Sequence, residues 1–485
     1  MSKNNSRIKL ITINREDALN IEHCDFFLSA LRRHSLKKKE NNYNKDNFEE
    51  FKKYILKSKI FNPVTKIDSS EKRYIRKKET IKNINNKNKY IYNATFLKTQ
   101  KPIRLQTNID IIERNIDGTL NVYLIKPSIF IKSDYIKELI FSKIVIEFSG
   151  FEVKNSYIIS FDNDFLTKNN NLIKMNDLTT EVNKEINQFK NTLIKNVNDL
   201  ISRKDIEANR LNSKCKECKL KKSCWSEINK DSILHLKQLS EKKLNLLKNN
   251  DILNLKNFPE EYFQNLSETQ KRQVISFKNK KTYFNHEEIS TIINTISNNH
   301  VFFNITSQLK SIPSINEKPN QMIPRYYTIY NKGNIKEDFF GTDIKSSIKE
   351  ICNELNKSKT IVTLFSNYEK NFLINSKKKY PDLSELIDSI LLKFVDLSIL
   401  IKNNSIYNYN MMNDFSINSI SKNLLNKQIT SYNFYYNEKD RNNSLLNLNL
   451  RKHSNEYVEI MRLFLSLLNE LISQNELISQ NEKIA

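Results

Sequence analysis

YIYNATFLKTQKPIRLQTNIDIIERNIDGTLNVYLIKPSIF, residues 90–130, decides how the first half of this chain is read. β-Branched and aromatic residues crowd its three runs, YIYNATF, IRLQTNIDIIE and LNVYLIKPSIF. Polar breaks part them, one carrying Asp117-Gly118. Such runs read as neighbouring strands joined by tight turns. IVIEFSGF and SYIISF follow, so a sheet with flanking helices is expected over residues 90–165.

On the N-terminal side, residues 1–60 read as mostly helical and Ser69–Lys89 as an exposed loop or helix. On the other side, Glu181–Leu211 reads as one long helix. Residues 230–298 read as helical and short-looped, with no convincing strand. Strands return at VFFNITS (from Val301), RYYTIYN (from Arg325) and TIVTLFS (from Thr360), with helical patterns between them and onward to the end. NELISQNELISQ near the C-terminus is a tandem duplication expected to extend a helix. The fold class is therefore multi-domain α/β, since 485 residues exceed one ordinary core. The expected divisions are a mixed-sheet domain at 1–228, a helical linker at 229–298, a second α/β domain at 299–470 and a tail at 471–485.

Lys and Arg number 79 against 55 Asp and Glu, a formal charge of +24. That balance suits a polyanionic partner, DNA or RNA. The abundance of Asn, Lys and Ile, as in A+T-rich coding sequence, is the competing explanation, because it spreads lysine over every surface. No segment reads as membrane-spanning: LIDSILLKFVDLSILI from Leu386 is too short and is broken by Asp388, Lys393 and Asp396. The N-terminus lacks a signal-peptide apolar core, and five cysteines make no disulfide scaffold, so the expected compartment is cytoplasm.

KCKECKLKKSCW places Cys215, Cys218 and Cys224 in a C-x2-C-x5-C run, a spacing that packing does not require but metal ligation does. Cys24, in EHCDFF, is the candidate fourth ligand. Four thiolates suit zinc or an iron–sulfur cluster. Cys352, on a helical stretch, reads as core.

One cysteine upstream of a sheet and three just after it resembles the iron–sulfur staple of RecB-like nucleases of the AddB and CRISPR-associated type. That resemblance implies a [4Fe–4S] cluster on Cys24, Cys215, Cys218 and Cys224, with zinc as the alternative. The enclosed sheet resembles the PD-(D/E)XK nuclease core. There, one Asp, an acid-x-Lys on the next strand and bound Mg2+ cleave phosphodiesters. Asp110 matches the first acid and Lys126 the lysine, but Leu124 stands where the second acid belongs. The glutamine expected on the helix around Lys137–Ile146 is missing. Glu113 is the candidate substitute, although positions three apart on an alternating strand face opposite ways. Mg2+ is implied only if Asp110, Glu113 and Lys126 form a working site.

SCW, SILHLKQLSEKKLNLLKNNDILNLKNFP, MIPRYYTIY, SNYEK, YPDLSELIDSILLKFVDLSIL and DFSINSI, in that order, resemble an uncharacterised bacterial, mollicute-type family. In it a RecB-like domain precedes a helical linker and a DnaQ-like exonuclease domain of RNase H fold. The linker resembles a helix–hairpin–helix, with Asn249 and Asn250 where its glycines belong. The exonuclease chemistry needs Asp-x-Glu on the first strand, and VFFNITS carries Asn304 and Thr306 there. Asn455, in RKHSNEYVEIM, stands at a further Asp position, while Glu369 and Asp396 remain. The resemblance thus implies a pseudo-exonuclease. The leading expectation is a nucleic-acid-binding protein on two nuclease scaffolds, with Arg325, Tyr326 and Tyr327 presented to a strand. The alternatives are an active metal-dependent nuclease using the N-terminal site and a structural, partner-binding protein.

Overall fold

The computed structural model describes residues 10–21, 24, 27, 43–58, 60–101, 103–162, 172–201, 231–310, 312, 319, 321–341, 343–428 and 444–484. The chain is mixed α/β and groups into two units. The first comprises Met1–Glu227 with Lys310–Gln321, the second Ile228–Leu309 with Met322–Ala485. The stretch expected to be a separate linker, 229–298, falls within the second unit.

The first unit is built on a seven-stranded sheet. β2 (Val64–Lys66), β3 (Tyr90–Gln100), β4 (Ile103–Arg114), β5 (Leu120–Ile125), β6 (Val153–Phe161) and β7 (Ile173–Asp177) lie in that order, and β1 (Ile11–Ile13) pairs with β4. β3, β4 and β5 form an antiparallel meander. Its second turn holds Gly118 at φ +90, a conformation side chains resist, while Asp117 Oδ1 accepts from Thr119 N–H at 3.0 Å. β5 and β6 are parallel, so the chain must cross over the sheet between them, and the crossover is a helix.

Five helices are described here: α1 (Arg15–Ile21), α2 (Tyr43–Lys57), α3 (Arg73–Asn85), α4 (Ser133–Phe148, the crossover) and α5 (Thr179–Ile201). α1 opens on a reciprocal cap, Asn14 and Asp17 each accepting the other's N–H. α4 and α5 cover one face of the sheet through Leu139, Phe141, Val145, Val182 and Phe189. Phe51 and Ile55 of α2 cover the other, against Ile111, Ile159 and Phe161. The residues expected to be mostly helical before position 60 thus also supply β1.

One irregularity positions the chemistry. Asn93 in β3 is left-handed (φ 62) and lies opposite Asp110 in the register. Phe96, Ala94 and Ile109 face the α4 side, as do Ile91 and Ile112 beyond Asn93. Strict alternation cannot give that pattern, so the pleat reverses at Asn93 and Asp110.

The second unit has a five-stranded sheet in the order β11-β10-β9-β12-β13, made of β9 (His300–Lys310), β10 (Gln321–Asn331), β11 (Asn334–Phe339), β12 (Thr360–Thr363) and β13 (Phe394–Asp396). β9, β12 and β13 are parallel neighbours, and β10 with β11 is a hairpin. Before the sheet stand α6 (Glu241–Asn249), α7 (Glu268–Asn279) and α8 (His286–Ile293), with Ser240, Ser267 and Asn285 as caps. Between α7 and α8, β8 (Tyr283–Phe284) pairs with β14 (Ile406–Tyr407), a strand the sequence does not announce. The turn after α6 is left-handed at Asp251 (φ 56), while Asn249 stays helical and Asn250 takes φ −106.

Helices α9 (Ile344–Asn356), α10 (Asn367–Lys379) and α11 (Ser384–Leu391) pack Ile351, Leu373 and Ile387 against Val301, Phe303 and Ile305 of β9. Cys352 is fully buried in this core, as read. The short α12 (Ser398–Lys402) and α13 (Ile417–Asn423) precede α14 (Ser444–Ile484), 41 residues that run through the duplicated NELISQ segment. Among the described residues no helix is long and apolar enough to cross a membrane.

Candidate functional site

In the first unit, β1 pairs with Ile103–Leu105 of β4, and β5 pairs with Ile111–Arg114, leaving a fork on that side of β4. Asp110 lies at the fork. Its Oδ2 accepts from Ile125 N–H at 2.9 Å, and its Oδ1 is 2.8 Å from Lys52 Nζ of α2. Lys126, just past β5, places Nζ 2.6 Å from Glu138 Oε1 on α4, and Arg15 Nε stands 3.7 Å from Glu138 Oε2. Asp110 and Glu138 are both buried. Burial pulls the Lys126 ammonium below its ordinary range, and the attraction of Glu138 offsets this only in part.

Three cations therefore answer the two buried carboxylates, with the more exposed Glu49 also 3.9 Å from Lys52 Nζ. A hard divalent cation needs uncommitted carboxylate oxygens, and these are already answered by lysine and arginine. Leu124 is buried in the core and donates nothing. Glu113 does not replace it. Its Oε2 accepts from Asn121 Nδ2 at 3.0 Å and from Tyr123 Oη at 2.8 Å, away from Asp110. Burial pushes the Glu113 carboxyl up, but the Asn121, Tyr123 and Tyr90 donors outweigh it and hold the group low. Among the described residues no group of three or more His, Cys, Asp or Glu side chains suits a metal ion. Cys24 packs half-buried against the first core. Cys215, Cys218 and Cys224 lie outside the described residues.

Arg15, Lys52 and Glu138 escape a motif search, because each meets its partner only through the fold. Glu138 left one trace: a carboxylate directly before the apolar run Leu139, Ile140 and Phe141 is placed for burial, and a buried carboxylate needs a cation.

The second unit gathers a different set. Asn304 and Thr306 share one face of β9, opposite the core face of Phe303 and Ile305. Asn304 Nδ2 donates to Ser454 Oγ of α14 at 2.8 Å and lies 3.3 Å from Thr306 Oγ1. Thr328 Oγ1 of β10 donates to the same Ser454 Oγ at 2.8 Å and lies 3.4 Å from Asn455 Oδ1. All these groups are neutral. Replacing Ser454 by Ala leaves the buried Asn304 amide and Thr328 hydroxyl short of a partner. The expected loss is about 1–3 kcal/mol in denaturant unfolding; a variant as stable as the parent would refute the network.

Two carboxylates flank this network. Glu369, in the first turn of α10, is buried; its Oε1 accepts from Ile305 N–H at 3.1 Å and its Oε2 has no hydrogen-bond partner. Burial pushes its carboxyl up to about 7, assisted by the nearby charge of Asp396. Asp396, at the end of β13, accepts from Phe365 N–H (2.9 Å), Ser366 N–H (3.1 Å) and Ser398 N–H (2.9 Å). Phe365 has φ 64, a strained value for a bulky residue, in the turn whose amides meet this carboxylate. Burial pushes Asp396 up, yet the Ser398 and Ser366 donors prevail and hold it low. Tyr457 Oη donates to Leu364 O at 2.5 Å, and both carboxylates act on its ring hydroxyl, raising its pKa further after burial.

Residues 282–416 match a family model described as a domain of unknown function (DUF2779). The matched stretch contains Asn304, Thr306, Glu369 and Asp396 and ends before the helix that carries Ser454 and Asn455. No curated protein matches the chain in sequence. A solved structure titled "Crystal structure of SSO0001" is 14% identical, covering 45% of this chain and 85% of that one at a TM-score of 0.20. A likeness that slight carries no argument about fold or function.

Tyr326 and Tyr327 correct the sequence reading. They are 2% and 1% exposed, Tyr327 inside the β9 core and Tyr326 edge-on to Phe339, so neither ring is open to a base. Alternating burial fails along RYYT because both faces of β10 are covered. Arg325 Nε donates to Gln308 Oε1 at 2.8 Å.

Proposed function

We propose that this chain is a nucleic-acid-binding protein that does not hydrolyse its ligand, and that its two units are nuclease-type scaffolds put to binding. The carrying observation is the neutral Asn304–Ser454–Thr328–Asn455 network, whose first-strand members occupy the acid positions implied by the exonuclease resemblance. Without charge there, Glu369 and Asp396 alone do not build a two-metal cage. The Asp110 fork supports the same reading, since its carboxylates are neutralised by Lys52, Lys126 and Arg15. The formal charge of +24 supports the polyanionic ligand.

The test uses the full chain with labelled single-stranded and duplex oligonucleotides. Binding should weaken steeply as salt rises, and Mg2+ or Mn2+ should generate no product. Cleavage that EDTA stops and that Asp110→Ala abolishes would overturn the non-catalytic reading. Absence of any salt-sensitive binding would overturn the ligand. The same reading assigns Cys24, Cys215, Cys218 and Cys224 a structural iron–sulfur cluster, with zinc the alternative. Iron, sulfide and zinc analysis after anaerobic purification separates them.

A further inference from the structure

The first unit carries a basic surface away from the Asp110 fork. KRYIRKK (Lys72–Lys78) opens α3, and KTQKPIR (Lys98–Arg104) turns β3 into β4. Together they hold eight Lys or Arg and no Asp or Glu. The structure brings them together. Arg104 lies over the Tyr74 ring, its guanidinium carbon 5.0 Å from the ring centroid, and also hydrogen-bonds the Tyr74 hydroxyl. Arg73 Nη1 donates to Thr12 Oγ1 at 3.2 Å, and Thr12 is the register partner of Arg104.

Lys72, Arg73, Lys78 and Lys101 are all exposed, and Lys78 lies one helical turn from Tyr74. Lys98 pairs with Leu105, next to the Thr99–Arg104 pair, and so projects from the other face of the hairpin. Tyr74 is 56% exposed and Ile75 42%, so an aromatic ring already sandwiched on one side by Arg104 still shows surface to solvent. α3 has no acid in its first turn and no side-chain cap at Lys72. Its uncapped N–H groups and positive dipole end therefore coincide with Lys72 and Arg73, a placement that favours an anion. The neighbouring acids offset only part of it: Asp68 accepts from Ser70 N–H and Oγ, both at 2.8 Å, and attracts Arg76, while Glu71 is exposed before the helix. Arg104 and Asp110 are six residues apart on β4, about 20 Å of strand, so the two clusters stand apart along β4.

We infer that this surface grips a single strand of nucleic acid. Lys72, Arg73, Lys78 and Lys101 take backbone phosphates, and an unpaired base stacks on Tyr74. The inference rests on the nucleic-acid reading above and names the site of that binding. A single strand fits better than a duplex, because only an unpaired base offers its face to an exposed ring. It also fits better than an acidic protein segment, because every nucleotide supplies a flat ring together with a phosphate, whereas a peptide pairs a ring with an acid only occasionally.

The test is fluorescence anisotropy of the full chain with a labelled single-stranded oligonucleotide across a salt series. The quadruple variant Lys72→Ala, Arg73→Ala, Lys78→Ala, Lys101→Ala should bind at least tenfold more weakly. Its log–log salt slope should fall by about 3, at about 0.7 per phosphate contact on a single strand. Tyr74→Ala should weaken binding about tenfold with the slope unchanged, and Tyr74→Phe should bind as the parent does. A charge-matched variant at four other exposed lysines (Lys174, Lys184, Lys195 and Lys256, each to Ala) should keep most of the affinity. The surface assignment is wrong if the quadruple variant retains parental affinity and slope while the parent binds. It is equally wrong if the charge-matched variant loses as much, or if the patch proves needed for anionic vesicles and not for the oligonucleotide. A parent that binds no oligonucleotide removes the nucleic-acid reading itself, and this inference with it.

Discussion

Glu369→Gln should stabilise the second unit at about pH 8 and change it little at about pH 5. The buried Glu369 carboxyl titrates at about 7 in the fold against an ordinary value of 4.5, so the folded state holds its proton more tightly than the unfolded chain does. The stability that this proton contributes is complete below the ordinary value and is lost as pH rises through about 7. The gap, at about 1.36 kcal/mol per pH unit, amounts to about 3 kcal/mol by pH 8. Glutamine keeps the shape and cannot ionise, so that loss disappears. Denaturant midpoints of parent and variant at the two pH values measure it. Parallel pH profiles for the two proteins would show that Glu369 is solvated in solution.

The second large effect concerns the Asp110 fork. Lys126→Ala should cost about 3 kcal/mol, because it strands Glu138 in a buried setting with only Arg15, 3.7 Å away. Solvent reaches a small fraction of both side chains, and Arg15 remains, which places the loss at the low end for a broken buried pair. Lys126→Met combined with Glu138→Leu should recover most of it, since no unpaired charge is left. Urea unfolding of the two variants decides: a single variant as stable as its parent would mean that the pair is screened by water. Oligonucleotide affinity of the double variant should equal the parent's, because the pair holds the fold together at a site distant from the basic surface.

Much of this molecule is legible in local sequence. Strand runs such as YIYNATF and VFFNITS declare themselves through β-branched and aromatic content, and α7 and α8 begin at Ser267 and Asn285, residues suited to capping. The short strands β1, β2 and β8, of two or three residues each, carry too little pattern to be read that way. Side-chain direction was less legible. Alternation breaks at Asp110 because Asn93, across the ladder, is left-handed; Tyr326 and Tyr327 are both buried because β10 is covered on both faces.

The sequence by itself determined that Asn304, Thr306 and Asn455 bring no negative charge, and that Leu124 can bind no cation, because those are properties of the side chains alone. The tertiary structure decided what Asp110, Glu113, Lys126 and Glu369 do. Glu113 meets Asn121 and Tyr123 across the β4–β5 turn, Lys126 meets Glu138 on the crossover helix, and Ile305 stands 64 residues before Glu369, so only the fold brings these groups within hydrogen-bond distance. Burial, which raises Glu369 and lowers Lys126, likewise exists only once the surrounding elements have packed, since desolvation belongs to a place in the fold and not to a residue type.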